Sequence, residues 1–344
     1  MDTSSSAEVA PQLPPNAVLM QLASGAMLTQ ALRVVAEYGV ADVLGDGAKE
    51  CGEIAVSVGA HPRSLYRVMR SLAAVGVFRE SSEKTFENTA MSLLLREDDS
   101  GSMRNTIIFM GAPWHFNIWS EMHHSVKTGK SAWEKYHGEE VWKWLQSHPA
   151  EEENFNRTMT ELSYAAAPPI VEAYDFSGVE TVVDVAGGHG YLLSQILKAN
   201  PNLRGILFDM PSVIRGAGKF FEEAGVSDRV EKVSGDFFQS VPEADAYMMK
   251  HIIHDWDDEK AVAIMRTIHA AMSDRGRLLL AEMVVPEGNE PHYSKVLDLE
   301  MLTSAGGIER TGEEYRELFA AAGFRLNRIV PTRSPFSVIE GVKA

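Results

Sequence analysis

The chain has 344 residues, 45% of them hydrophobic and 23% charged, which suits a globular protein of two domains. Its net charge of −16, from 48 acidic against 32 basic side chains, argues against nucleic acid or an anionic membrane surface as partner. One cysteine, Cys51, excludes an intrachain disulfide and a thiolate metal cluster and fits a reducing compartment.

Met1–Pro15 is Ser/Pro-rich and lacks the basic-then-apolar pattern of a signal peptide; it reads as a disordered tail, residues 1–15. No uninterrupted apolar run is long enough for a transmembrane helix, so the expected location is the cytoplasm. From Asn16 to Tyr38, apolar residues at Met20, Ala23, Met27, Ala31 and Val34 recur at helical steps. That stripe predicts a core or dimer helix. Glu53–Ala60 and His61–Val75 predict a helix-turn-helix, and Val77–Arg79 with Thr85–Asn88 a small hairpin, together a winged-helix-like outline. Met103–Ala166 reads as helices rich in aromatics, which pack a core or line a pocket for a flat substrate. Pro168-Pro169 and Asp175–Gly178 mark a passage to a second domain, giving expected domains of 16–167 and 168–344.

After Val179 short apolar runs alternate with helical segments. Strands are expected at Thr181–Val185, Gly205–Phe208, Arg229–Val233, Ala246–Met249 and Gly276–Met283. This progression predicts a Rossmann-like α/β domain with a mostly parallel sheet. Two last strands, Phe324–Val330 and Phe336–Val342, are separated only by Pro331–Pro335, too short for a crossover helix. They should form an antiparallel hairpin.

Four segments at predicted strand ends carry chemistry. Asp184-Val185-Ala186-Gly187-Gly188-His189-Gly190 is a Gly-rich strand-to-helix turn that lacks the third glycine of a dinucleotide fingerprint. Asp184 beside it repels a pyrophosphate and suits a cationic ligand such as a sulfonium. Asp209 stands about 20 residues further on, where an acidic side chain accepts ribose hydroxyls, although a capping Asp reads the same way. Gly235-Asp236-Phe237-Phe238 offers a carboxylate and a ring for adenine, or an ordinary turn. Lys250-His251-Ile252-Ile253-His254-Asp255-Trp256 brings two histidines to the same edge. His254 is the candidate general base; a metal site of His251, His254 and Asp255 lacks a second cluster to complete it.

These blocks resemble the small-molecule O-methyltransferases of plants and bacteria, of the caffeic acid and acetylserotonin type. The blocks in order are Asp184–Gly190, Phe208–Val213, Gly235–Phe238, Lys250 with His254–Glu259, Ala281-Glu282 and Gly306–Thr311. They span nearly the whole chain, with Ala186 departing from the family's first glycine. The resemblance implies a class I fold behind a helical dimerisation domain, and hence a homodimer. It implies S-adenosylmethionine as cofactor, leaving as S-adenosylhomocysteine, with no metal. Asp184, Gly187, Gly188, Asp209, Asp236, Phe237 and Lys250 would hold the cofactor. His254 would be the base, flanked by Glu282 and Glu309, and Phe155, Met159 and Asp255 would meet a small aromatic acceptor. The acceptor's identity does not carry over, and some relatives methylate nitrogen. The competing class is a ligand-sensing regulator with its helix-turn-helix on DNA, which the acidic balance disfavours.

Overall fold

A computed structural model describes residues 13–97 and 101–344. The tail expected at 1–15 lies almost entirely outside the described residues. The chain divides into two compact units, 1–112 and 113–344.

In the first unit, helices α1 (Pro15–Ala23) and α2 (Gly25–Glu37) replace the single expected helix, meeting at a 41° bend. Among the described residues no single helix is long and apolar enough to cross a membrane; this bent pair reaches that length and composition only jointly. β1 (Lys49–Glu50), α3 (Cys51–Val58), α4 (Pro62–Ala73), β2 (Phe78–Ser82), β3 (Thr85–Asn88) and α5 (Arg104–Gly111) follow. The hairpin gains the unexpected β1, giving the order β1-β3-β2. Ile54, Leu65, Met69, Leu72, Phe78 and Phe86 form the core. Along α1 and the start of α2, Leu19, Met20, Leu22 and Met27 are each more than 65% exposed, so nothing among the described residues covers this apolar stripe.

The second unit begins with aromatic-rich helices, among them α6 (Val141–Ser147) and the long α7 (Pro149–Ala173). The boundary expected at 167/168 falls inside α7, which continues through Pro168 and Pro169. Packing explains this: Ala166, Ala167 and Ile170 bury into one core with Val182, Leu192 and Leu193. The end of α7 therefore belongs to the sheet it covers, and the compact units part at 112/113 instead.

The sheet contains β4 (Thr181–Val185), β5 (Arg204–Asp209), β6 (Val230–Ser234), β7 (Ala244–Lys250), β8 (Met272–Glu282), β9 (Phe324–Pro331) and β10 (Ser337–Lys343). Its order is β6-β5-β4-β7-β8-β10-β9. The first five strands are mutually parallel, and β10 runs antiparallel to both β8 and β9, as the short link requires. The central strands read as continuous apolar runs because helices cover both faces. Val182, Val183, Met248, Met249, Leu279 and Leu280 are all fully buried. β8 starts four residues earlier than expected, at a buried Met272 paired with Ala244. Chain direction reverses its order about β4, so the carboxyl ends of β4 and β7 flank the switch point where ligands sit in such sheets. Between and after the strands lie α8 (Tyr191–Ala199), α9 (Asp258–Ala271), α10 (Ser294–Thr303) and α11 (Gly312–Ala321).

Candidate active site

β4 delivers Asp184 into a turn whose backbone only small residues tolerate. Ala186 adopts φ +55°, the left-handed region that disfavours a side chain, while its N–H donates to the Phe208 carbonyl at 2.7 Å. A Cβ on Gly187 would stand 2.6 Å from the Asp184 carboxyl and from Leu207. Gly188, at φ +60°, has open space where a Cβ would project, and its N–H donates to Asp209 Oδ2 at 2.8 Å. Asp209, the last residue of β5, also accepts from the Met210 N–H at 2.6 Å. Its capping and ligand-facing readings are thus compatible, since a carboxylate has further lone pairs. Asp184 is 2% exposed and its Oδ2 has no hydrogen-bond partner among the described residues. Burial pushes its carboxyl up to about 7, with Asp209 adding to the rise and Lys250 opposing it. Burial lifts Asp209 to about 6.

Asp236 follows β6 and is exposed, accepting from the Phe238 N–H at 2.9 Å and the Gln239 amide at 3.1 Å. Phe237 beside it is half-buried, its ring 6.0 Å from that of Trp256. Lys250 ends β7; burial lowers its ammonium while Asp184, Glu282 and Asp255 pull it back up.

The segment after β7 turns at once. His251 takes φ +53°, and a short 3₁₀ turn, Ile253–Asp255, sets His254 into the unit with 4% of it exposed. His254 Nδ1 lies 2.5 Å from Glu309 Oε1. Glu282 also flanks the ring but makes its hydrogen bonds to the backbone. Its Oε1 accepts the Ile252 and Ile253 N–H groups at 3.2 and 3.0 Å, and its Oε2 approaches Nδ1 only to 3.9 Å. On the other side, Asp255 Oδ1 is 3.5 Å from His254 Nε2. Burial raises all three carboxyls, Asp255 and Glu282 to about 7 and Glu309 to about 8, the last helped by Asp298 and opposed by Arg310.

Three supports of this geometry carried no role in the sequence reading. Gly307 lies so close to the His254 and Asp255 backbone that a Cβ would overlap it, and the Ile308 N–H donates to the His254 carbonyl at 2.8 Å. Arg310, 1% exposed, spans Asp258 and the carbonyls of Ile253, Trp256 and Ile308. Asp298 on α10 accepts the Glu309 N–H at 2.9 Å. The Gly306–Thr311 block thus fastens the histidine turn to the carboxylate beside it.

Phe155 and Met159 fall on α7. The Phe155 ring meets Trp142 at 5.8 Å, and Trp142 meets Trp256 at 6.1 Å, joining α6 and α7 to the histidine turn. Met159 is half-buried, and the next residue, Thr160, has its hydroxyl 3.1 Å from His189 Nδ1 of the glycine turn. One helix therefore links Phe155 and Met159 to the glycine turn. His251, His254 and Glu309 each bring a ligand-type atom within 4.8 Å of the others. The two imidazoles, however, are stacked at an interplanar angle of 20°, so their lone pairs run side by side rather than converging.

The chain is similar to known proteins. The model of an O-methyltransferase domain matches residues 119–325, and that of an O-methyltransferase dimerisation domain matches 20–98. The chain is 42% identical to the phenazine O-methyltransferase PhzM of Lysobacter antibioticus, over 95% of this chain and 96% of that protein. The crystal structure of LaPhzM superposes with a TM-score of 0.93 at 41% identity, covering 96% of this chain and all of that one. The neocarzinostatin-biosynthesis O-methyltransferase NcsB1, solved with S-adenosylmethionine and 2-hydroxy-5-methyl naphthoic acid, gives a TM-score of 0.82 at 33% identity over 97% of this chain and all of that one.

Proposed function

Since the chain belongs to the O-methyltransferase family and is an S-adenosylmethionine-dependent enzyme, we propose that it methylates a phenolic hydroxyl of a small, flat aromatic acceptor, with His254 as general base. The observation that carries this reading is the His254–Glu309 pair, held at 2.5 Å beside the carboxyl edge of the sheet. The acceptor class follows from the aromatic residues of α6, α7 and the histidine turn, and from the phenazine and hydroxynaphthoic acid of the two relatives.

The residues at the glycine turn fit the cofactor. Gly188 leaves open space above the turn, and the buried Asp184 carboxylate, hydrogen-bonded by the Leu193 backbone but with no partner among the described residues at Oδ2, would favour a cation beside it. Asp184, Gly187, Gly188, Asp209, Asp236, Phe237 and Lys250 would hold it: Asp209 through the ribose hydroxyls, Asp236 and Phe237 at the adenine. When bound, S-adenosylmethionine supplies a methyl group on cationic sulfur.

The protein's own task is the proton. A phenol has a pKa of about 10, so ionising it at pH 7 costs about 4 kcal/mol. Glu309 holds Nδ1, which leaves Nε2 to take the acceptor's proton; base catalysis of this kind gives about 10²–10⁴-fold. Glu309 also stabilises the imidazolium formed, and Glu282 fixes the turn that carries the ring. Phe155 and Met159 would clamp the acceptor ring, and Asp255, beside Nε2, would meet its hydroxyl side. A second copy of the chain would cover the exposed stripe of α1, giving a homodimer through the first unit.

His254→Gln tests the assignment. Methyl transfer to a panel of flat phenols should fall by about 10²–10⁴-fold, while S-adenosylmethionine binding by calorimetry stays at the wild-type level. Undiminished turnover would end the reading of His254 as base.

A further inference from the structure

His251 has no part in the chemistry above, yet its backbone is held in a conformation that L-residues rarely adopt. Its φ of +53° is strained for an L-residue and persists only where the surroundings over-determine it. Its N–H is fastened to the Ala281 carbonyl of β8 at 3.2 Å. The result is a column of three rings. The His251 imidazole lies on the face of His254, with centroids 4.4 Å apart and planes 20° apart. Phe336, 7% exposed, packs against the same His251 ring with centroids 4.4 Å apart and planes 37° apart.

We propose that His251 is a positioning residue for His254: the flat face of its ring, itself packed against Phe336, fixes the plane of the base. This rests on His254 being the base. One hydrogen bond at Nδ1 fixes a direction but not a plane. The ring can still turn about the line to Glu309, and that motion swings Nε2 along an arc. A flat neighbour on the ring face resists the swing, and a rounded aliphatic one does not.

Charge agrees with the geometry. Burial, and then the nearby His254 and Lys250, push His251 well below the ordinary imidazole range, so it stays neutral while His254 takes a proton. A neutral aromatic face against an imidazolium is attractive; two imidazoliums would repel.

The test compares two substitutions of similar bulk. His251→Phe keeps a flat ring, and His251→Leu fills the space without one. The first should retain kcat within about threefold. The second should lower it by about 10–100-fold, as expected of a base displaced by an ångström or so, with acceptor KM and cofactor Kd unchanged. The far-downfield proton resonance of the His254–Glu309 hydrogen bond, assigned by its loss in His254→Gln, should survive in the Phe variant and broaden or vanish in the Leu variant. Equal impairment of both variants would mean that a ring nitrogen is at work, and wild-type kcat and resonance in both would mean that the column is inert; either overturns the proposal. The resonance does not depend on turnover. Activity persisting in His254→Gln would therefore end the base assignment while leaving the positioning of His254 separately readable.

Discussion

Nδ1 of His254 and Oε1 of Glu309 are 2.5 Å apart, while the second carboxylate, Glu282, comes no closer to that nitrogen than 3.9 Å. The two glutamates therefore differ in their contacts although both flank one ring.

Glu309→Gln should cost more than Glu282→Gln. The first removes the carboxyl that holds Nδ1 and whose ionised form would compensate the imidazolium once the ring takes a proton, so kcat should drop by roughly 10²-fold or more. In Glu282→Gln the amide oxygen still accepts the Ile252 and Ile253 N–H groups, and the fall should stay within about tenfold. Steady-state kinetics with saturating cofactor measure both. The reverse order would show that Glu282 is the true partner of the base.

Arg310 acts through the backbone. Its guanidinium fork satisfies three carbonyls and Asp258 from a fully buried position, which a lysine does not reproduce. Arg310→Lys should destabilise by about 2–3 kcal/mol, lowering Tm by roughly 5–10 °C. A thermal melt within 2 °C of wild type would remove Arg310 from the account.

Patterns that recur within a short stretch were legible in the sequence. The strands, the Gly-rich turn and the antiparallel closing pair follow from local apolar runs and from a link too short for a helix, and the structure has them all. Asp184, Asp209 and Lys250 stand at the strand ends where those runs placed them. The domain boundary was not legible. Pro168 and Pro169 look like breakers, but burial of Ala166, Ala167 and Ile170 carries the helix through them. Nor was the division of labour between Glu282 and Glu309, because which carboxylate reaches Nδ1 depends on the close approach at Gly307, some fifty residues from the histidine. The ring column also joins segments far apart in the chain, His251 and Phe336, and no local period announces it.

The first unit's exposed stripe predicts an oligomeric state. Leu19 and Leu22 are 68% and 72% exposed on α1, Leu22 within the matched dimerisation domain and Leu19 immediately before it. Isolated apolar side chains on a surface mean little, whereas a run of them along one helix marks an interface. Wild-type protein should elute and scatter as a dimer. The double substitution Leu19→Glu and Leu22→Glu places like charges in that interface, and the dimer should weaken by at least about tenfold. A wild-type monomer at micromolar concentration would contradict this.

Cofactor affinity should depend on pH through Asp184 and Asp209. Burial raises both carboxyls in the ligand-free protein, to about 7 and about 6. A cationic ligand stabilises their charged forms and so lowers both values on binding. The sign follows directly: between the lowered and the raised values the complex holds fewer protons than the free protein, so binding releases protons and tightens as pH rises. Affinity for S-adenosylmethionine should climb from about pH 5 to pH 7, by up to about tenfold per unit for each proton released, and level off above pH 8. The neutral-sulfur product S-adenosylhomocysteine should show a shallower slope, because it brings no sulfonium charge to the carboxylates. Titration calorimetry in two buffers of different ionisation enthalpy reads the proton count for each ligand. Asp184→Asn should flatten the slope for S-adenosylmethionine most, since its Oδ2 is the buried acceptor with no partner among the described residues. Identical slopes for the two ligands would show that the carboxylates respond to burial by the ligand rather than to the charge on its sulfur.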